Sequence, residues 1–212
     1  MRTLASAPIS RMLARRAFVL AAAWLCSACT TGATRLAPPT EARDASGFTI
    51  AERVRVGSGV RDDFDRALRL LEQEQYDAGI ALLVEVTEAA PRVTSAHIDL
   101  AIAYSRVGDL ERAEASLAKA LGQSPRHPVA HNELGIVYRK TGRFAQARQS
   151  YEKALELYPD FRFARLNLAI LCDLYLADPN CALENYERYQ QAAPGDETAA
   201  MWIADLRKRA GR

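Results

Sequence analysis

The stretch that decides the fold runs from residue 128 to residue 161 and reads PVAHNELGIVYRKTGRFAQARQSYEKALELYPDF. Two small residues, Gly135 and Ala147, sit among the large ones Leu134, Tyr138 and Tyr151. Two helices joined by a tight turn approach closely only where small residues occupy the crossing point, with large ones filling the space around it. Gly142 marks the turn, because glycine lets a chain leave a helix with positive φ. Pro159 cannot easily continue the second helix and ends the unit. The stretch therefore predicts one helical hairpin.

The same pattern recurs outward in both directions. Pro91, Pro125 and Pro159 are spaced at 34 residues, and Pro194 follows 35 further on. Four copies result, at 60–93, 94–127, 128–161 and 162–196. Position 8 holds Ala67, Ala101, Gly135 and Ala169, and position 20 holds Gly79, Ala113, Ala147 and Ala182. Large residues fill position 24: Leu83, Leu117, Tyr151 and Tyr186. The first copy departs from the pattern, with Arg66 at position 7 and Glu74 where the turn glycine is expected. The fourth has one extra residue in its turn, Tyr175 to Pro179. Residues 196–212 predict one more amphipathic helix, a cap with Met201, Trp202 and Leu206 facing in. Its cations at 207–209 lie where the helix dipole favours them.

A fixed period with about eight matching positions per copy resembles the tetratricopeptide repeat family. The resemblance implies an all-α, right-handed superhelix of helix-turn-helix repeats, with nine helices, that works by binding other proteins. It also implies an inner groove lined by positions 2, 5, 9 and 12 of each first helix. Those places hold Val129 and Phe163; Phe64, Ile98, Asn132 and Leu166; Leu68, Ile102, Ile136 and Ile170; and Arg139 at the margin. One reading makes them inter-repeat core. The other makes them a groove for an amphipathic helix or an extended apolar segment of a partner. Some relatives bind a C-terminal carboxylate through Lys and Asn at positions 5 and 9. Those residues are absent at the matching places, so that activity is not carried over.

Catalytic chemistry finds little support. No Ser-His-Asp order, phosphate-binding Walker loop or HExxH motif occurs. His97 and His131 share position 4 of adjacent copies, which raises a metal pair beside the plainer reading of a repeat position filled by imidazole. No catalytic residue, metal ligand or cofactor is assigned. Cys172 and Cys181 fall near facing ends of the fourth hairpin, within reach of a disulfide. The alternative is two isolated thiols, with Cys172 a small core residue.

Residues 1–28 form a different kind of segment. They carry Arg2, Arg11, Arg15 and Arg16, no acidic residue, and a twelve-residue apolar run, 17–28. That run is shorter than the roughly 20 residues a membrane span needs, and the whole reads as a secretory signal. Arg15 and Arg16 before Ala17-Phe18-Val19-Leu20 also resemble a twin-arginine export address. The signal looks like that of a bacterial lipoprotein, with Cys29 after Ser27 and Ala28 as the lipidated residue. Plain cleavage near Ala28 and a Cys26-x-x-Cys29 metal or redox pair are the competing readings. Residues 29–59, rich in Gly, Pro, Ser and Thr, read as a flexible tether. Within it, Phe48 to Val56 is expected either to pack on the domain or to bind a partner.

Charge follows from this division. The chain has 28 Lys and Arg, four of them in the signal, leaving 24 against 26 Asp and Glu, a net of −2. Nothing global points to nucleic acid, and membrane contact is expected through the lipid alone. The chain looks like the repeat lipoproteins of type IV and Flp pilus systems. The expectation is thus a non-catalytic adaptor anchored in the outer membrane and facing the periplasm. Its partner would be a secretin, a pilus component or cell-wall machinery. The alternatives are a regulator of cell-wall enzymes, or a soluble periplasmic chaperone or enzyme subunit.

Overall fold

The computed structural model describes residues 40–43, 49–52 and 54–209. The expected signal, the twin-arginine pair and Cys29 lie outside these residues. Within the expected tether, strands β1 (Thr40–Arg43) and β2 (Thr49–Glu52) pair antiparallel, Thr40 opposite Glu52 and Arg43 opposite Thr49. Nine helices follow among the described residues. They are α1 (Ser58–Glu72), α2 (Tyr76–Ala89), α3 (Thr94–Arg106), α4 (Leu110–Gln123), α5 (Pro128–Lys140), α6 (Phe144–Leu157), α7 (Arg162–Leu174), α8 (Pro179–Ala192) and α9 (Glu197–Arg209). Each helix packs on the next, and α1, α3, α5 and α7 also touch their odd-numbered neighbours. The odd helices therefore form one layer of an all-α solenoid and the even helices the other.

The position rules account for the packing. Within each hairpin, position 8 meets position 20 with almost no side chain between them: Ala67, Ala101, Ala113, Ala147, Ala169 and Ala182 are all buried. Between hairpins, two other positions carry the contact. Position 3 is Ala96, Ala130, Ala164 and Ala199, and position 10 is Ala103, Val137, Leu171 and Leu206, every one of them buried. In α1 the same two places hold Asp62 and Arg69, both exposed. No helix precedes α1 among the described residues, so nothing there needs an apolar face. This is the polar end expected of a terminal repeat.

Turn chemistry repeats as well. Gly108 and Gly142 adopt φ of 85° and 76°, and in the two departing copies Glu74 (59°) and Ala177 (51°) take the same left-handed conformation. An L-residue is disfavoured there by roughly 1–2 kcal/mol, and glycine is not. Ala177→Gly is accordingly expected to raise stability by about 1 kcal/mol, read as a higher urea midpoint with an unchanged slope. A lowered midpoint would show that this turn is held by something other than its backbone.

The cap needs one correction. Ala199, Ile203 and Leu206 turn inward, whereas Met201 is 65% exposed. Trp202 is exposed as well, at 37%, with its ring against that of Tyr186 at 5.5 Å. Helical period explains this: residues 199, 203 and 206 define the buried stripe, and 201 falls beside it. Ion pairs Arg209–Asp173 and Arg207–Glu187 tie α9 to α7 and α8.

Candidate functional site

The inner layer is built from the odd helices, and three polar contacts cross it. Lys140 Nζ donates to Ser105 O (2.8 Å) and Oγ (3.0 Å), Asn167 Nδ2 to Asn132 Oδ1 (3.0 Å), and Arg209 Nη2 to Asp173 Oδ1 (2.8 Å). These bonds run α5 to α3, α7 to α5 and α9 to α7. They show that positions 5, 6, 12 and 13 look across the layer toward the next odd helix.

Between them, position 9 forms a row: Leu68, Ile102, Ile136 and Ile170 are all half-buried. Ile102 packs on the core of the first hairpins, and Ile136 and Ile170 on that of the last. Val129, Phe163 and Leu166 are half-buried too. Phe163 stands edge-on to the buried Phe161, with the Arg162 guanidinium over its ring at 4.7 Å. Two residues expected in the groove belong to the interior instead. Ile98 is 4% and Asn132 3% exposed. The close approach of the odd helices places position 5 of the middle copies between them. Phe64 is turned to the N-terminal end, where it lines a cavity of about 30 Å³ with Val54, Val56, Val60, Val86 and Val93. The last residues of the expected tether thus pack on the domain.

Arg139 is half-buried at the margin. Its guanidinium sits 5.8 Å from the Tyr175 ring, which in turn packs at a tilt on Phe144 at 4.9 Å. The fully buried Tyr151 hydroxyl lies beside it, within reach of the Arg139 cation. Burial pushes the Tyr151 phenol up to about 12 against the pull of the Arg139 cation, so it stays neutral. Sequence reasoning missed Leu174 and Tyr175, which are 68% and 43% exposed at the end of α7. The extra turn residue was the only signal near them.

The histidines do structural work. Nε2 of His97 donates to Pro91 O and Nε2 of His131 to Pro125 O, both at 2.9 Å, and Arg165 Nη2 reaches Pro159 O equally. Position 4 thus satisfies a carbonyl at the end of the preceding helix in three successive copies, which leaves His97 and His131 occupied by backbone. His127 caps α5, its Nδ1 accepting from Ala130 N–H. Cys172 and Cys181 are joined as a disulfide, Cα atoms 5.9 Å apart, across the α7–α8 turn.

An array of helical hairpins with a half-buried apolar row on its odd-helix layer defines a repeat solenoid. The tetratricopeptide repeat family model matches residues 64–128, 98–161 and 132–172, and the chain belongs to that family. No curated protein matched. Solved structures share the fold. Pseudomonas aeruginosa pilF is 23% identical, with 72% of this chain and 69% of that one covered at a TM-score of 0.65. MamA of Desulfovibrio magneticus RS-1 is 18% identical, with 74% and 88% covered, also at 0.65. The first repeat domain of Spaghetti (RPAP3), bound to an HSP90 peptide SRMEEVD, is 22% identical, with 58% and 98% covered at 0.54.

Proposed function

We propose that this chain is a non-catalytic adaptor that holds a segment of another protein against the inner row Leu68, Ile102, Ile136 and Ile170. The observation that carries the reading is that all four residues are apolar, in register and half-buried on the odd-helix layer. A residue needed only for the core would be covered, as positions 3 and 10 are. The bound peptide of the Spaghetti structure supports the holding of a segment, and the likeness to pilF supports an adaptor in pilus or secretion-system assembly. Cys29, the small residues before it and the basic start support a lipid anchor there, with the domain facing the periplasm from the outer membrane. Among the described residues no helix is long and apolar enough to cross a membrane.

The test is crosslinking capture from intact envelopes, wild type against Ile102→Glu/Ile136→Glu. A carboxylate in place of each isoleucine is expected to reduce capture of a secretin or pilus component at least tenfold, because each buries a charge under the partner. Unchanged capture would remove the groove from the function. Recovery of cell-wall enzymes instead would move the role to envelope growth. In the same preparation Cys29→Ser is expected to release the chain from membranes; continued membrane association would end the lipid-anchor reading.

A further inference from the structure

A cavity of about 420 Å³ opens at the end of the fourth hairpin opposite its turn, where α7 begins and α8 ends. Three arginines line it, Arg162, Arg165 and Arg188, together with Asp160, Gln191 and Ala192. Each arginine is held in place. Arg165 Nη2 donates to Pro159 O (2.9 Å) and Nη1 to Asn185 Oδ1 (3.4 Å). Arg188 Nη2 meets Glu184 Oε1 at 2.9 Å, and the Arg162 guanidinium lies over the Phe163 ring at 4.7 Å. A guanidinium carries five N–H donors, so these contacts leave donors over on Arg165 and Arg188.

Neither the repeat nor the helices account for this set. The three residues stand at positions 1, 4 and 26. The other copies hold Val60, Asp63 and Glu85; Thr94, His97 and Lys119; and Pro128, His131 and Lys153. Position 4 needs only a donor for the preceding carbonyl, which His97 and His131 supply. Arg162 and Arg165 also open α7, the end of a helix where the dipole disfavours a cation, and no acid in that first turn offsets them. Burial, and then the Arg188 charge, hold the Arg165 guanidinium below its ordinary value, against the pull of Glu184 and Asp160. Three cations against one lining carboxylate leave two positive charges in the wall, or one if Glu184 is counted.

We infer that Arg162, Arg165 and Arg188 form a phosphate-binding site: the cavity takes a phosphate monoester, carried on a lipid headgroup or on a small soluble molecule. A monoester brings roughly two negative charges and three acceptor oxygens, which match the surplus charge and the forked donors of the wall. A carboxylate or a phosphodiester brings a single charge and fits less well. None of the position 9 residues lines the cavity, so the site stands or falls apart from the groove.

The test uses the chain carrying Cys29→Ser, so that no lipid of its own holds it to a vesicle. Two probes are applied: glycerol 3-phosphate in titration calorimetry, and phosphatidylcholine vesicles with and without phosphatidic acid in flotation. Adding Arg165→His/Arg188→Gln should weaken whichever binding is seen about tenfold or more, because charge-assisted hydrogen bonds are lost. Histidine keeps a donor for Pro159 O, as in the other copies, so Tm should stay where it was. Lys119→Gln/Lys153→Gln, which removes two charges at position 26 of other copies, should leave binding unchanged. Flotation with phosphatidic acid that the arginine variant loses would assign the phosphate to a lipid headgroup, and calorimetric binding alone would assign it to a soluble molecule. Absence of binding to both probes, or equal loss in the two double variants, would overturn the site. Displacement of glycerol 3-phosphate by a far lower concentration of a short DNA strand would give the arginines to a polyanion and overturn it too.

Discussion

Tyr151→Ala is expected to cost about 3–5 kcal/mol, the range for removing a fully buried aromatic side chain. On an array of this size that is a fall of roughly 10 °C or more in Tm by circular dichroism. The local reason is the pairing of position 24 with position 8. The Tyr151 ring covers Gly135 so closely that a Cβ there would lie 2.6 Å from Cδ1. Alanine at 151 would therefore face glycine at 135, and neither could fill the gap. The pairing makes a second, sharper statement. Gly135→Ala alone is expected to destabilise by about 1–3 kcal/mol through overpacking, despite the better helix propensity of alanine. In a Tyr151→Leu background the same change should stabilise, since Ala101 with Leu117 and Ala67 with Leu83 are the pairs already used in the first two copies. If Gly135→Ala has the same sign in both backgrounds, the two positions are not coupled, and the account of the hairpin is wrong.

The second large effect concerns the fourth hairpin. Joining residues 172 and 181 closes a short loop, nine residues apart in sequence. The loss of unfolded-chain entropy for a loop of that size corresponds to about 2–3 kcal/mol. Cys172→Ala/Cys181→Ala should lose that much, and reductant should lower the wild-type midpoint by a similar amount while leaving the variant unmoved. Equal stability of the wild type with and without reductant would show that the bond contributes nothing. The turn it braces is the longer one, where Ala177 is strained and Asp178 caps α8 by accepting from Cys181 N–H. An exported chain would keep such a bond, because the compartment is oxidising.

Much of the architecture was legible because a repeat states the same packing rule four times. A 34-residue period with small residues at positions 8 and 20 leaves the chain few ways to bury its large residues except as stacked hairpins. Positive φ at Gly108 and Gly142 follows from residue type. At Glu74 and Ala177 only the register of the repeat points to it. The exposed pair Asp62 and Arg69 had a meaning that the period alone could not supply, since it depends on α1 having no helix behind it.

The site was less legible, for reasons that are geometric. By itself the sequence determined the hairpin, its repetition, the close crossings and the apolar row at position 9, because these follow from the spacing of small and large residues along one chain. Only the tertiary structure decided which of those residues a partner can reach. Burial of Ile98 and Asn132 depends on how closely one odd helix approaches the next. The placing of Phe64 depends on the segment at Val54 and Val56, and the outward turn of Met201 depends on which stripe of α9 meets α7 and α8. Spacing along a chain sets what each helix offers, and the distance and rotation between helices set what is covered.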